Sequence, residues 1–281
     1  MRYVDLHVHS NASDGTLTPS QVVTLAARQN LSAIALTDHD TTAGLKEAKQ
    51  AADNLEIELI PGIEFSCVYQ GTEIHILGLF INENDPEFLL ELQSLLDIRQ
   101  KRNEEMLRRF QADGISITRE DLQEGNPDTV ITRAHFARIL VKKGYASSLD
   151  QAFKRYLSYG GRYCIRKETV TPEHIMEILT KNHAFPSLAH IMQYKFSWAE
   201  NEALIAYLKG LGLLGLEVYH SSHNQNQSLR LLELAKAYGL LPTGGSDFHG
   251  ANKPDIQIGT GRGGLRLPES LLKDIRCVIL K

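Results

Sequence analysis

The sequence contains few cysteines and no pattern that pairs them. Only three occur among 281 residues, Cys67, Cys164 and Cys277, and they lie far apart without a C-x-x-C motif. An odd number of scattered thiols excludes a disulfide-rich secreted scaffold and favours reduced cysteines. We therefore predict a cytoplasmic protein in which the thiols are structural.

The chain also lacks a long uninterrupted hydrophobic run. The longest apolar stretch, ALIAYLKGLGLLGLEVY, contains Lys209, three glycines and Glu217, so it predicts a helix followed by a strand rather than a membrane span. The first segment, MRYVDLHVHS, reaches candidate catalytic residues by position 7. We expect neither a signal peptide nor a membrane partner.

An excess of positive charge is missing as well. The formal net charge is −4, with 23% charged and 42% hydrophobic residues. This composition excludes a strongly basic surface that would coat nucleic acid, so a phosphate-bearing substrate would need cations gathered in a pocket. The length permits one large or two smaller α/β domains with a well-packed core.

What the sequence does contain is an alternation of short apolar runs and amphipathic segments. TPSQ at Thr18, DPEF at Asp85 and TPEH at Thr171 are typical helix starts. Strands that alternate with helices favour parallel pairing in a barrel or an open sheet. The predicted strands are Tyr3–His7, Ala33–Thr37, Glu58–Phe65, Glu73–Phe80, Phe185–His190, Gly215–Tyr219 and Leu241–Ser246.

The alternation stops between about Asp97 and Arg162. RQKRNEEMLRRF, TRAHFARILVKKG and SLDQAFKRYL predict three helices with no strand between them. We predict a catalytic domain formed by 1–97 and 163–281, with a helical insertion at 98–162 that contributes to the substrate pocket.

Histidines and acids follow the predicted strands. DLHVHS places His7 and His9 on one face of a strand, although an isolated H-x-H pair is a weak signal. TDHD, GIEFS, EIHILG, LAHI and GSDFHG follow or lie within later strands. The carboxyl ends of barrel strands form active sites, and imidazole with carboxylate but no thiolate suits Mn, Zn or Fe.

Taken in order, these motifs resemble the polymerase and histidinol phosphatase (PHP) family. The stretch TRAHFARILVKKGYASSLDQAFKRYL is similar to the insertion of a bacterial subgroup of nucleotide phosphatases and 5′→3′ exoribonucleases. The resemblance implies an α/β fold, a distorted (β/α)7 barrel with a small all-helical insertion. It also implies two to three divalent metal ions, with Mn²⁺ favoured over Zn²⁺ or Fe²⁺.

The resemblance further implies which residues bind the metals. One site would contain His7, His9, Glu64 and Asp247; Glu64 would bridge to a second site with His75 and His190; Asp14, His39 and His249 would form the third. The residues expected to take part in catalysis are His7, His9, Glu64, Asp247 and His249. One departure is Ile191, where relatives usually carry proline.

Other interpretations of four acids and histidines stay open. Asp14 is also suited to capping the SDG turn. His75, between two isoleucines, is also compatible with a core histidine. Asp5 and Asp40 are expected to orient ligand histidines from behind, although packing is nearly as good an explanation for Asp5.

The predicted cluster indicates hydrolysis of a phosphate ester. Clustered divalent ions lower the pKa of a bridging water toward neutrality and neutralise charge on a phosphoryl group. No G-x-S-x-G or comparable nucleophile motif occurs in the sequence. A histidine or a metal-bound water would protonate the leaving oxygen.

Substrate-binding residues are predicted mainly in the insertion. Arg133 and His135 open a helix that also carries Arg138, where a phosphate would meet arginine and the helix dipole; a solvated helix face is the alternative. Arg162 is a further candidate, although relatives often have lysine nearby. His223 could touch substrate, whereas Ser222 or Asn224 could simply cap a helix. His174 and His183 are expected to be structural.

Three functions are compatible with these features. The leading one is a nucleotide phosphohydrolase that removes the 3′-phosphate of nucleoside 3′,5′-bisphosphates, releases 5′-nucleotides from short 5′-phosphorylated RNA, or does both. A histidinol-phosphate-type phosphatase would need an acidic pocket, which the arginines disfavour. A non-catalytic metal-binding module is disfavoured by the full set of expected ligands. No obligate protein partner is indicated.

Overall fold

The computed structural model describes residues 2–158, 160–165 and 170–279. Its centre is one eight-stranded sheet, and all seven predicted strands are present within it. A short eighth strand near the C-terminus was not predicted. The strands are β1 Tyr3–Val8, β2 Leu31–Leu36, β3 Glu58–Tyr69, β4 Thr72–Leu79, β5 Phe185–Leu188, β6 Gly215–His220, β7 Leu241–Gly245 and β8 Leu267–Pro268.

The sheet curls into a nearly closed barrel. Its strand order is β7-β6-β5-β4-β3-β2-β1-β8. Past the end of β7 the chain meets β1: the N–H of Asp247 donates to the carbonyl of His7 at 2.9 Å, and that of His9 donates to the carbonyl of Phe248 at 3.0 Å. The predicted distorted barrel with surrounding helices is therefore confirmed.

Parallel pairing does not hold around the whole barrel, which corrects the prediction from alternation. β4 runs antiparallel to both β3 and β5. A two-residue turn joins β3 to β4, with φ of 46° at Gln70 and 76° at Gly71. Two successive positive φ angles suit the tight twist of a hairpin, so no crossover helix lies between these strands.

The helices cover the barrel and form the insertion. Thr18, Asp85 and Thr171 each cap a helix through the side chain, as predicted. None of the described helices is long and apolar enough to cross a membrane. The helices are α1 Pro19–Arg28, α2 Leu45–Leu55, α3 Pro86–Ala112, α4 Arg119–Gln123, α5 Arg133–Lys142, α6 Leu149–Tyr156, α7 Pro172–Lys181, α8 Trp198–Gly210, α9 Gln225–Ala237 and α10 Ser270–Ile279.

The insertion has a hydrophobic cluster of its own. Met106 and Phe110 from the second half of α3 pack with Phe136 and Leu140 of α5. The predicted boundary at residue 98 falls inside α3, because that helix runs without interruption over 27 residues. α3 is thus shared: its first half contacts the barrel core and its second half the insertion. The division into two domains stays a prediction.

Candidate metal centre

The barrel brings the nine predicted ligand positions to one end of the sheet. Four of them belong to strands or directly follow one: His7 and His9 at the end of β1, Glu64 in β3 and His75 in β4. The other five follow strand ends or lie in the loop after β1. They form one buried or nearly buried cluster: His7, His9, Asp14, His39, Glu64, His75, His190, Asp247 and His249.

Glu64 lies at the middle of this cluster. Its Oε1 is 2.8 Å from Nε2 of His190 and 2.9 Å from Nδ1 of His75. Its Oε2 is 3.0 Å from Nδ1 of His39 and 3.3 Å from Nε2 of His9. One carboxylate therefore faces histidines on two sides, the geometry needed to bridge two ions.

The two histidines of the H-x-H pair converge as their spacing predicts. Their Nε2 atoms are 3.1 Å apart, and Oδ1 of Asp247 lies 3.7 Å from Nε2 of His7 and 3.6 Å from Nε2 of His9. Both rings are fully buried.

A third group forms around Asp14. Its Oδ1 lies 3.1 Å from Nε2 of His249, and its Oδ2 lies 3.7 Å from Nε2 of His39. His9 joins the same group. The carboxylate of Asp14 points among imidazoles and accepts a hydrogen bond from Thr132 Oγ1 at 2.9 Å, which favours a ligand role over capping of the SDG turn.

The donor atoms fit divalent ions. Four overlapping groups of three or four side chains each place their ligand atoms within 4.8 Å of one another. Several of these atoms are buried without a hydrogen-bond partner within the described chain, namely His9 Nδ1, Asp14 Oδ1, His39 Nδ1, His190 Nδ1 and His220 Nε2. Buried unsatisfied imidazole and carboxylate atoms are costly unless an ion completes them. His220, not predicted as a ligand, belongs to one group with His7 and Asp247.

The backbone around the cluster is held in uncommon conformations. His190 and Asp247 have φ of 23° and 57°, values that cost energy in residues other than glycine and recur at functional sites. Gly245 is required at the end of β7, because a Cβ there would clash with the Cβ and backbone nitrogen of His7. This close approach places β7 and β1 side by side.

The charges of the cluster keep its acids ionised. Burial alone would raise the pKa of Glu64, but His39 and His75 hold it well below its usual range. Burial likewise opposes ionisation of Asp247, yet Lys253, whose Nζ is 2.6 Å from Oδ2, holds that pKa well below normal. Ionised oxygens are the form that binds cations.

Glu217 of β6 supports the cluster from behind and was missed in the sequence. Its Oε1 is 3.0 Å from Nδ1 of His7, and its Oε2 accepts from the backbone N–H of His190 at 2.7 Å. A carboxylate that fixes the remote nitrogen of a ligand histidine orients the ring and raises its basicity. A buried acid inside the apolar strand GLEVYH was the available signal.

The two predicted supporting acids contact backbone and arginine. Asp5 accepts from the backbone N–H groups of Ser246 at 2.8 Å and Gly259 at 2.7 Å, and so ties the loop after β7 to β1. Asp40 accepts from Arg99 Nε at 2.9 Å and from the N–H of Ser66 at 3.1 Å. Their roles in orienting ligand histidines stay predictions.

A cavity of about 210 Å³ opens over the cluster. It is lined by residues of the cluster, by Lys253, and by residues of α3, α5 and α6 from the insertion. Leu149 and Phe153 supply an apolar surface. The arginines that line it are Arg99, Arg102, Arg133 and Arg138.

The predicted substrate residues are divided between this cavity and other places. Arg133 lines the cavity and donates to Glu73 at 2.9 Å. His135 is buried behind the start of α5, where its Nδ1 accepts from the N–H of Thr132 at 3.0 Å. Outside the lining lie Arg162, which pairs with Asp113 at 2.5 Å, and His223, whose Nδ1 is 3.1 Å from the carbonyl of Val218.

The substrate-binding roles of these four residues stay predictions. In the segment after β6, Asn224 caps α9, as the alternative interpretation of this segment expected. His174 lies 3.0 Å from Glu91, and His183 is an exposed residue directly after α7.

Comparison with known proteins places the chain among phosphoesterases. A family model described as the PHP domain matches residues 5–166. A 5′-3′ exoribonuclease from Haemophilus influenzae is 37% identical over 245 residues, 87% of this chain and 89% of that protein. A 3′,5′-nucleoside bisphosphate phosphatase from Chromobacterium violaceum is 32% identical over 261 residues, 92% and 91% of the two chains.

A solved structure agrees with these matches. A protein from Bifidobacterium adolescentis, assigned as a metal-dependent phosphoesterase, superposes with a TM-score of 0.85 at 30% identity and covers 98% of this chain and 96% of its own. The fold is thus shared with a metal-dependent phosphoesterase along nearly the whole chain. This chain therefore belongs to the PHP domain family and is an enzyme, a phosphoesterase.

Proposed function

We propose that this protein is a Mn²⁺-dependent hydrolase of nucleotides, located in the cytoplasm. It removes the 3′-phosphate of nucleoside 3′,5′-bisphosphates, releases 5′-nucleotides from short 5′-phosphorylated RNA, or does both. The observation that carries the proposal is one cavity lined both by a cluster suited to metal ions and by arginines. The relatives named for bisphosphate and exoribonuclease activities support the substrate class.

The proposed ligands are those that the resemblance to the PHP family implies. His7, His9, Glu64 and Asp247 hold one ion; Glu64, His75 and His190 hold a second; Asp14, His39 and His249 hold the third. When bound, the ions supply charge neutralisation at the phosphoryl group and an activated water. Soft ligands are absent from the cluster within the described residues, which suits Mn²⁺.

The other residues of the cavity bind and orient the substrate. Lys253 faces the cavity beside Asp247 and stabilises negative charge at the reacting phosphate. Arg133, which also pairs with Glu73, offers its guanidinium donors to a phosphate in the same cavity. Leu149 and Phe153 offer an apolar face to the sugar and base.

Turnover assays with Mn²⁺ test the proposal. The substrates are adenosine 3′,5′-bisphosphate and a 5′-phosphorylated oligoribonucleotide, with histidinol phosphate as the competing monoester. We expect hydrolysis of at least one nucleotide substrate and little of the amine-bearing monoester, because arginines line the cavity. Activity on neither nucleotide would contradict the proposal.

A further inference from the structure

Four arginines line the cavity, and three of them are balanced by an acid. Each of the three donates to a carboxylate at 2.7–2.9 Å: Arg99 to Asp40, Arg133 to Glu73 and Arg138 to Glu124. The fourth, Arg102 of α3, is only 6% exposed. Among the described residues its hydrogen bonds go to an amide, not to an acid.

That amide holds the guanidinium in a fixed orientation. Nε and Nη2 of Arg102 donate to Oδ1 of Asn103 at 3.2 and 2.8 Å. The amide nitrogen of Asn103 donates in turn to the carbonyl of Ile131 at 2.9 Å, so the amide oxygen has to face Arg102. These bonds occupy the Nε edge of the guanidinium. Its Nη1–Nη2 edge is left with two parallel donors.

The environment of Arg102 disfavours its own charge. Burial, and then the nearby charge of Arg99, lower the pKa of Arg102 to about 10, although the charges of Glu73 and Asp40 oppose this shift. A buried cation is costly without a compensating partner. An anionic group of the substrate that enters the cavity would therefore stabilise the charge of Arg102.

We propose that Arg102 is a specificity-determining residue that binds the phosphate the enzyme does not hydrolyse, the 5′-phosphate of its nucleotide substrate. The identification of that phosphate rests on the proposed function. The free edge of Arg102 matches two oxygens of a phosphate, whereas a substrate without a 5′-phosphate leaves the buried charge unpaired. An enzyme discriminates strongly against a substrate that lacks a group when the polar atoms that would bind this group are then left without a partner.

Kinetics of Arg102→Met, which keeps the side-chain bulk but removes charge and donors, test the assignment. The two substrates are adenosine 3′,5′-bisphosphate and adenosine 3′-monophosphate, which differ only in the 5′-phosphate. We expect kcat/KM for the bisphosphate to fall roughly 10- to 100-fold, with less than about a twofold change for the monophosphate. Arg108→Met, on the exposed part of the same helix, is the matched control and changes neither. Equal loss on both substrates, or none, overturns the assignment.

Binding separates this inference from the proposed function. Calorimetry with adenosine 5′-monophosphate and with adenosine measures the preference for the 5′-phosphate without turnover. We expect Arg102→Met to abolish that preference, and Arg102→Lys, which keeps charge but loses the fork, to reduce it. If the wild type hydrolyses neither nucleotide, the proposed function is wrong, but the calorimetry still tests whether Arg102 binds the 5′-phosphate. Unchanged preference in both variants overturns the inference; if the Met variant does not fold, the Lys variant decides.

Discussion

At the residue scale, the ligand histidines depend on acids that do not themselves face the cavity. Burial would raise the pKa of Glu217, but His7 and then His220 lower it, so this carboxylate is ionised and accepts a hydrogen bond from the protonated Nδ1 of His7. The Nε2 atom of His7 is then free to bind a metal. Since its second oxygen accepts from the backbone N–H of His190, one side chain positions two of the proposed ligands.

Glu217→Gln is predicted to weaken metal binding. The two partners of Glu217 are both N–H donors, and glutamine offers one acceptor oxygen and one donor group in place of two acceptors. We expect metal affinity to fall roughly 10- to 100-fold, measured by titration with Mn²⁺, with activity recovered at high metal concentration. Glu200→Gln, an exposed acid at the start of α8, is the control. Unchanged affinity would contradict the role of Glu217.

Asp247→Asn is predicted to remove turnover while the fold survives. The substitution is nearly isosteric but deletes a charge that faces the Nε2 atoms of His7 and His9 and pairs with Lys253. We expect kcat/KM to fall by about 100-fold or more, with thermal unfolding of the metal-free variant close to that of the metal-free wild type. Asp255→Asn, an exposed acid nearby, serves for comparison. A main effect on stability, with turnover retained, would favour a non-catalytic metal module.

Residues of the site differ in how far the sequence reveals them. His7 and His9, or the acids and histidines of TDHD and GSDFHG, occur in short motifs at strand ends, so the pattern itself predicts convergence. Glu217 and Arg102 are single charged residues in a strand and a helix. Their importance comes from burial and from partners distant in the chain, which the sequence does not display.

At the element scale, local sequence predicts where helices begin better than it predicts the direction in which a strand runs. Helix starts at Thr18, Asp85 and Thr171 follow from capping side chains within a few residues. The strand β4 was predicted but its antiparallel direction was not, because that direction depends on the two-residue turn Gln70–Gly71. His135 shows a second limit: a histidine near a helix start is suited both to a ligand and to the capping box of the helix, and the sequence alone does not separate these roles.

His135 is predicted to make the fold sensitive to acid. Burial, and then the charge of Arg138, lower the pKa of His135 to about 3. The pKa of histidine in an unfolded chain is about 6.5, so below this pH the unfolded state binds a proton at residue 135 that the folded state does not bind. Stability is full above about pH 6.5 and falls as the pH drops toward the folded value, by about 2 kcal/mol at about pH 5.

Denaturant unfolding at about pH 8 and about pH 5 measures this effect. His135→Gln keeps an acceptor for the N–H of Thr132, as in a normal capping box, and should reduce the loss of stability in acid. His183→Asn changes an exposed histidine whose positive φ asparagine tolerates, and should leave the pH dependence as it was. Equal acid sensitivity of the wild type and the glutamine variant would disprove the prediction.

At the scale of the whole molecule, the cluster exists only because the barrel closes. Asp247 and His249 follow β7, near the end of the chain, while His7 and His9 belong to β1 and the residue beyond it; the two strands meet where Gly245 admits His7. Closure of the barrel therefore brings together residues from near the two ends of the sequence. The motifs at strand ends predict that these side chains gather at one rim, whereas the pairing of the last long strand with the first follows from the family resemblance alone.

Metal removal is therefore predicted to destabilise the protein as a whole. The ligands come from segments spread from β1 to the loop after β7, so ions that bind them favour the folded chain over the unfolded one. At a free metal concentration of about 100 times Kd, binding contributes about 2.7 kcal/mol. For a chain of this size that corresponds to a change in Tm of about 5–10 °C.

Calorimetry in a chelator, and again after Mn²⁺ is restored, measures this shift. The Asp247→Asn protein lacks one ligand charge and should show a smaller change, while Asp255→Asn should match the wild type. Because the insertion has a hydrophobic cluster of its own, we expect the chelator to lower the unfolding temperature of the barrel more than that of the insertion. A Tm indifferent to chelator and to Mn²⁺ would mean that the histidines and acids at the strand ends bind no ion, however close together they lie.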